Sequence, residues 1–210
     1  MSLFRSLIMP SQSSNRLPSE YQEVEYIQAN NNAYIKTGFL ITNGIKFKYV
    51  ISLSTINEQY LLGAVKRTSP IKRSHLACYN NGGYQFNLGA KEDIWTNFNP
   101  VVNTKYTIEA STKSGNNYIN IDGVSYGTGT YVYTLSSLEC YVGAVNGLDI
   151  NKKIRGNIYL CEIYDGDFNL VRNLIPCYRK SDNKTGMYDL VNDTFYTSAT
   201  ETDFTAGPKV

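Results

Sequence analysis

The sequence is built from short segments in which apolar and polar residues alternate, separated by turn-forming dipeptides. In residues 45–52 the apolar side chains occupy every second position and lysines lie between them, as expected for a half-buried strand. Asp122-Gly123 joins two alternating segments and is typical of a tight hairpin. The predicted strands are 21–28, 33–39, 45–52, 59–65, 75–80, 83–89, 105–111, 117–127, 130–135, 138–144, 156–165, 169–179, 186–192 and 194–198.

About a dozen strands with regular turns predict an all-β sandwich or barrel. The composition agrees, since 18 Tyr and 8 Phe accompany a single Trp, and aromatic residues suit a pleated, half-buried surface. A chain of 210 residues is within the range of one all-β domain. We therefore predict a short N-terminal arm and linker over 1–17 and one sandwich domain over 18–210.

The N-terminal arm has a composition of its own. It holds two arginines and no acidic residue, whereas the remaining residues carry 18 basic and 18 acidic side chains. Two interpretations stay open: a disordered terminus, or an assembly arm that docks on a neighbouring protein. The second is favoured because disordered segments are normally poor in large apolar residues. The candidate assembly residues are Leu3, Phe4, Arg5, Leu7, Ile8 and Met9.

The net charge of +2 is too small to indicate a nucleic-acid-binding protein. The basic stretch 66–73 lacks interleaved aromatic residues, so we interpret it as a solvated loop. No apolar run approaches the ~20 residues of a membrane span, and the start has no secretory signal pattern. We expect a protein made and folded in a cytoplasm, without nucleic-acid or membrane partners.

Two stretches carry a family resemblance. Residues 17–39 and 158–204 resemble the opening and closing strands of laminin-G-like, concanavalin-like jelly-roll modules, which occur in phage structural proteins and in surface proteins of gut bacteria. The matching pieces are 17–18, 25–27, 34–35, 37–38, 163–165, 170–172, 175–179 and 186–189. The resemblance implies a two-sheet antiparallel jelly-roll sandwich, used as a virion component or as a glycan-binding module. Over 40–155 the resemblance is limited to the general pattern of short strands and turns.

No set of residues predicts catalysis. Glu20, Glu23 and Glu25 are the nearest match to a glycosidase triplet, but the central Asp is missing and two acids on an edge strand are ordinary. His75 is the only histidine, and no nucleophile motif accompanies it, so we expect a solvated residue at a strand end. We predict no enzyme activity.

Metals and cofactors are likewise not expected. Asp165, Asp167 and Asn169 offer alternating oxygen ligands, but this spacing is first of all that of a turn. The four cysteines lack a CxxC pair, which argues against zinc. We interpret them as buried free thiols, with two disulfides as the alternative: Cys78, Cys140, Cys161 and Cys177.

Glycan binding is the chemistry that the sequence offers best. Saccharide sites combine a flat aromatic ring with amides or carboxylates that take the hydroxyl groups. The stretch 92–100 has these residues in a predicted loop, with Trp95 as the ring. The alternative is that Trp95 fills the core below the loop. The candidate glycan-binding residues are Asp93, Trp95, Asn97 and Asn99.

The sequence thus favours a bacteriophage virion structural protein (a head fibre, capsid decoration or tail-associated component). It would be attached to other virion proteins by its arm, homo-oligomeric, and able to contact host-surface glycans. Its expected location is the virion, assembled in the host cytoplasm. The alternative is a free carbohydrate-binding, lectin-like module. A glycoside hydrolase is the third hypothesis, and the one with least support.

Overall fold

The computed structural model describes residues 16–30, 32–68, 72–90, 93–130 and 138–210. Within them the chain forms strands and one short 3-10 turn at Ile150–Lys152. The strands are β1 (Tyr21–Glu23), β2 (Ile27–Asn30), β3 (Ile35–Ile41), β4 (Lys46–Leu53), β5 (Gln59–Lys66), β6 (Lys72–Asn80), β7 (Tyr84–Gly89), β8 (Asp93–Trp95), β9 (Lys105–Lys113), β10 (Asn116–Ile121), β11 (Val124–Gly129), β12 (Leu138–Val142), β13 (Arg155–Tyr164), β14 (Leu170–Arg179), β15 (Thr185–Asp189), β16 (Thr194–Thr197) and β17 (Thr205–Ala206).

The described strands form two antiparallel sheets. The large sheet runs β11-β10-β9-β4-β13-β14-β15-β16, with β1 beside β14, and β2 between β13 and β17. The small sheet runs β3-β12-β5-β6-β7-β8. The two sheets face each other across one hydrophobic core, so the predicted all-β sandwich is confirmed.

The core follows from the alternation seen in the sequence. Phe47, Tyr49 and Ile51 of β4 point inward and have no exposed surface. They meet Leu76 and Phe86 from the small sheet in the same apolar cluster. Because alternate side chains leave a strand on opposite faces, each sheet also has an outer face that does not contribute to this core.

The four cysteines lie in strands, buried and unpaired: Cys78, Cys140, Cys161 and Cys177. This agrees with the interpretation as free thiols rather than two disulfides. Burial raises the pKa of the Cys78, Cys140 and Cys177 thiols to about 12. Such thiols are predominantly protonated at neutral pH and behave as small apolar side chains.

The structure corrects the predicted elements at three places. Residues 21–28 do not form one strand, because Val24 bridges Lys209 and divides the segment into β1 and β2. Asp93–Trp95 was predicted to be part of a loop and is the edge strand β8. The short strand β17 was not predicted. The segment 130–135 and the assembly residues of the arm lie outside the described residues, apart from Thr130.

In the part of the chain that the structure describes, no helix has the length and apolar character needed to cross a membrane.

Candidate functional site

The outer face of the small sheet carries a cluster of polar and aromatic side chains. Along β6, Leu76 and Cys78 point into the core. The alternation therefore places Arg73, His75 and Tyr79 on the outer face. The same reasoning places Asn87 outward on β7, since its neighbours Phe86 and Leu88 belong to the core.

Strand register joins these residues into rows across the sheet. His75 pairs with Gly89, which pairs with Asp93. One step along the strands, Ala77 pairs with Asn87, which pairs with Trp95. Side chains directly opposite each other on one face lie about 5 Å apart at Cβ. Residues 18 positions apart in the chain thus lie in one row.

A cleft of about 610 Å³ opens over this face. Its size lies within the range of small-molecule binding sites. Strands β6 and β8 supply much of the lining, and Leu148 contributes from the segment that follows β12. The lining residues are Glu58, Val65, Arg67, Arg73, His75, Tyr79, Asn80, Asp93, Trp95 and Leu148.

His75 lies at the floor of the cleft and is 2% exposed, which corrects the prediction of a solvated residue at a strand end. Its imidazole occupies the space above Gly89, where a Cβ atom would come within 1.9 Å of the ring. Only glycine at position 89 leaves room for the ring to pack against β7. Burial, together with the positive charge of Arg73, lowers the pKa of His75 to about 3. The imidazole is neutral at physiological pH.

Three side chains on this face have buried polar atoms without a hydrogen-bond partner among the described residues. The atoms are both ring nitrogens of His75, the amide Nδ2 and Oδ1 of Asn87, and Oδ1 of Asp93. Buried polar atoms are nearly always paired, because leaving one unpaired costs about 1–3 kcal/mol. The two of these side chains that line the cleft, His75 and Asp93, can be satisfied by the polar groups of a ligand.

Aromatic rings lie beside these polar atoms. The Tyr79 ring is 6.1 Å from that of Trp95 and 5.7 Å from that of Tyr60. Burial, and next the adjacent Tyr60, raises the pKa of the Tyr79 hydroxyl well above its usual range. The ring of Trp95 is half-buried and lines the cleft, and it is not part of the central core. The alternative that Trp95 fills the core is therefore wrong.

Charged side chains of the cleft are mostly held in ion pairs. Arg73 donates to Oδ2 of Asp93 at 2.7 Å. Glu58, which also lines the cleft, accepts a hydrogen bond from Lys152 at 2.7 Å. Arg67 lines the cleft and is exposed, with no ion pair to another described residue.

The predicted glycan-binding residues divide into two groups. Asp93 and Trp95 line the cleft. Asn97 and Asn99 are exposed beyond the end of β8, where the backbone N–H of Asn97 donates to Gln85 and Asn99 approaches Gly83. Neither asparagine lines the cleft. That all four residues bind glycan stays a prediction.

Sequence reasoning missed His75, Tyr79 and Asn87 as members of this face. The available signal was the alternation in β6 and β7, where Leu76, Cys78, Phe86 and Leu88 mark the inward positions. The pairing of β7 with β8 is needed to bring them to Trp95.

The other candidate residues take local structural roles. Glu23 is bound by Arg16 through its guanidinium, and Glu25 lies outside the strands. The Asp165 carboxylate accepts hydrogen bonds from the backbone N–H groups of Asp167 and Asn169 and so closes their turn. Among the described residues, no group of three or more His, Cys, Asp or Glu side chains is arranged to hold a metal ion.

Comparison with known proteins gives structural similarity without sequence similarity. No protein-family model matches the chain, and no curated protein matches it. Several solved structures share its fold. A protein from Bacteroides ovatus to which carbohydrate binding has been ascribed superposes with a TM-score of 0.60 at 10% identity, over 90% of this chain. This chain spans 62% of the length of that protein.

Two further structures extend the similarity. The heptameric SAP-like pentraxin of Limulus polyphemus has a TM-score of 0.55 at 10% identity, covering 89% of this chain and 94% of the pentraxin. Domain 4 of the extracellular GH43 arabinanase AbnA of Geobacillus stearothermophilus, solved with arabinotriose, has a TM-score of 0.50 at 15% identity, covering 67% of this chain and 70% of that domain. The fold is the concanavalin-like jelly roll that the sequence predicted.

Proposed function

We propose that this protein is a non-catalytic, lectin-like carbohydrate-binding module, and that saccharide binds in the cleft on the outer face of the small sheet. The observation that carries the proposal is the combination of an aromatic ring, Trp95, with buried unpartnered polar atoms on the adjacent strands. A sugar has the complementary surface, with C–H groups on its ring faces and hydroxyl groups at its rim.

Each group would have a defined task. The indole of Trp95 covers one face of a sugar ring and removes its C–H groups from water. The neutral imidazole of His75 donates one hydrogen bond and accepts another. Oδ1 of Asp93 accepts from a hydroxyl group. Asn87 is fully buried and does not line the cleft, so we assign it no contact with the sugar.

The structural neighbours support this proposal over the virion role predicted from sequence. Two of the three are described with carbohydrate: the Bacteroides ovatus protein by its ascribed binding, and the arabinanase domain by its arabinotriose. A shared fold hosts many functions, so the residues of the cleft support the proposal more strongly than the fold does.

The absence of catalysis is part of the proposal. Hydrolysis of a glycosidic bond uses two carboxyl groups, one of which acts as an acid. The two carboxylates that line the cleft, Glu58 and Asp93, are each bound to a cation. Each of these carboxylates thus holds a cationic side chain of the protein itself.

A binding screen followed by one substitution tests the proposal. The full chain is first screened against a saccharide array, and a hit is titrated by calorimetry. We expect Trp95→Ala to weaken binding at least about tenfold, because the stacking ring is lost. The matched control is Phe168→Ala, which removes a ring that is 38% exposed on a turn of the large sheet. Equal affinities of the wild type and the Trp95→Ala variant would contradict the proposed site.

A virion role stays a prediction. It depends on the N-terminal arm, and its candidate residues lie outside the described residues. The two roles are compatible, since a module on a particle can also bind glycans on a host surface.

A further inference from the structure

The cleft has a positively charged end. Arg67 follows directly after β5, Arg73 lies at the start of β6, and both line the cleft. Lys66 and Lys72 pair with each other across these two strands at the same end. By the alternation, Lys66 and Lys72 lie on the face of Leu62 and Leu76, away from the cleft. Among the described residues at this end, Arg67 and Arg73 are therefore the two cations that line the cleft.

The cations at this end differ in their partners. Asp93 is already bound to Arg73. Arg67 is exposed, lines the cleft, and makes neither an ion pair nor a side-chain hydrogen bond with any other residue that the structure describes. Its guanidinium is therefore available to an incoming group, and its planar fork of N–H donors matches carboxylate and sulfate oxygens.

We propose that the cleft selects saccharides that carry a negatively charged group, a carboxylate or a sulfate ester, and that Arg67 binds this group. The inference rests on the proposed function, because it assigns a ligand class to the same cleft. Arg73 stays with Asp93, and its charge is balanced by that carboxylate. Trp95 covers a sugar ring further along the cleft.

The spacing of these groups also indicates the size of the ligand. Trp95 is in register with Ala77 of β6, through Asn87. Arg67 follows Lys66, which pairs with Lys72 of β6. Ala77 is five residues from Lys72, which corresponds to about 17 Å along a strand. The charged group and the ring covered by Trp95 would therefore belong to different sugar residues. This favours an oligosaccharide over a monosaccharide.

The test compares three oligosaccharides of equal length with the full chain by calorimetry: a neutral one, one built from uronic acids and one carrying sulfate esters. We expect at least one anionic oligosaccharide to bind about tenfold more tightly than the neutral one. The difference should shrink at high salt, because Arg67 is exposed and its field is screened. The two anionic compounds distinguish a carboxylate from a sulfate as the bound group.

Arg67→Ala is the decisive variant, and Arg179→Ala is its matched control. Arg179 carries the same charge on a strand of the large sheet, where it binds Asp182. We expect Arg67→Ala to reduce affinity for the anionic oligosaccharide about tenfold and to reduce affinity for the neutral one by a much smaller factor. Arg179→Ala should change neither affinity.

The outcomes separate the two proposals. Tight binding of the neutral oligosaccharide, equal to that of the anionic ones, would overturn the selectivity while leaving saccharide binding intact. An equal loss of both affinities in Arg67→Ala would overturn the role of Arg67. No binding of any of the three would count against the cleft as a saccharide site altogether.

Discussion

The burial of His75 differs from what its neighbours in the sequence predict. It is the only histidine in the chain and is surrounded in sequence by basic residues, which suggested a solvated strand end. The alternation of β6 places it on the outer face, and Gly89 on the neighbouring strand leaves room for the ring to be buried. The sequence was enough to predict that Arg73 disfavours protonation of His75. Predicting the burial of His75 required knowing that β6 pairs with β7.

We predict that the imidazole of His75 does not titrate between pH 5 and pH 8, because its pKa is about 3. The single histidine gives one unambiguous signal in an NMR titration. A midpoint near the ordinary value of about 6.5 would show that the ring is solvated and would contradict the described floor of the cleft.

The same shift has a consequence for stability. Between about pH 6.5 and pH 3 the unfolded chain binds a proton on His75 that the folded chain does not. His75 therefore lowers the free energy of unfolding as the pH falls through this window. Above about pH 6.5 it makes this free energy no more dependent on pH. Replacing it with Gln should flatten the dependence of the free energy of unfolding on pH between these limits.

At the scale of elements, the two sheets are joined by more than apolar packing. Asp189, at the end of β15, has no exposed surface and accepts hydrogen bonds from the backbone N–H groups of Asn173 and Val191. Arg172 of β14 lies 3.5 Å from it and also donates to the carbonyl oxygen of Thr37 in the small sheet. This pair fixes β14 against β3.

We expect Asp189→Ala to lower the free energy of unfolding by about 3 to 5 kcal/mol, because it leaves a largely buried guanidinium and backbone donors unpaired. Asp182→Ala is the matched control. It removes the partner of Arg179 in an exposed turn, where ion pairs contribute little. Urea denaturation of both variants measures the difference, and similar losses for the two would show that Asp189 does not link the sheets.

The elements also show what could be read from the sequence. Alternation predicted the positions of the long strands, as in β4 and β13, because each has one face in the core. It failed for Asp93–Trp95, since three residues give too short a pattern and the stretch 92–100 contains two asparagines and ends in a proline. Which residues line the cleft depends on which strands are neighbours. That strand order is set by contacts between residues that are far apart in the sequence.

In the whole molecule, the cleft and Leu17 lie on opposite faces of the sandwich. Leu17 packs on the outer face of the large sheet against Ile175, Cys177 and Tyr188. The cleft lies on the outer face of the small sheet. The cleft is therefore separated from Leu17 by both sheets.

The assembly role of the arm is open to a direct test. If residues 1–15 associate with neighbouring copies, light scattering should give the full chain a mass greater than one protomer. A chain beginning at Arg16, which retains the buried Leu17, should be a monomer. Equal masses for the two proteins would contradict the prediction of an assembly arm.

The central claim is that saccharide binds against Trp95. Trp95 is the only tryptophan in the chain, so its fluorescence reports on the cleft without interference from other indoles. The most direct measurement is a fluorescence titration of the full chain with the tightest-binding oligosaccharide from the screen. We predict a saturable change in emission with the affinity that calorimetry gives. Binding by calorimetry with unchanged emission would place the saccharide elsewhere and contradict the account.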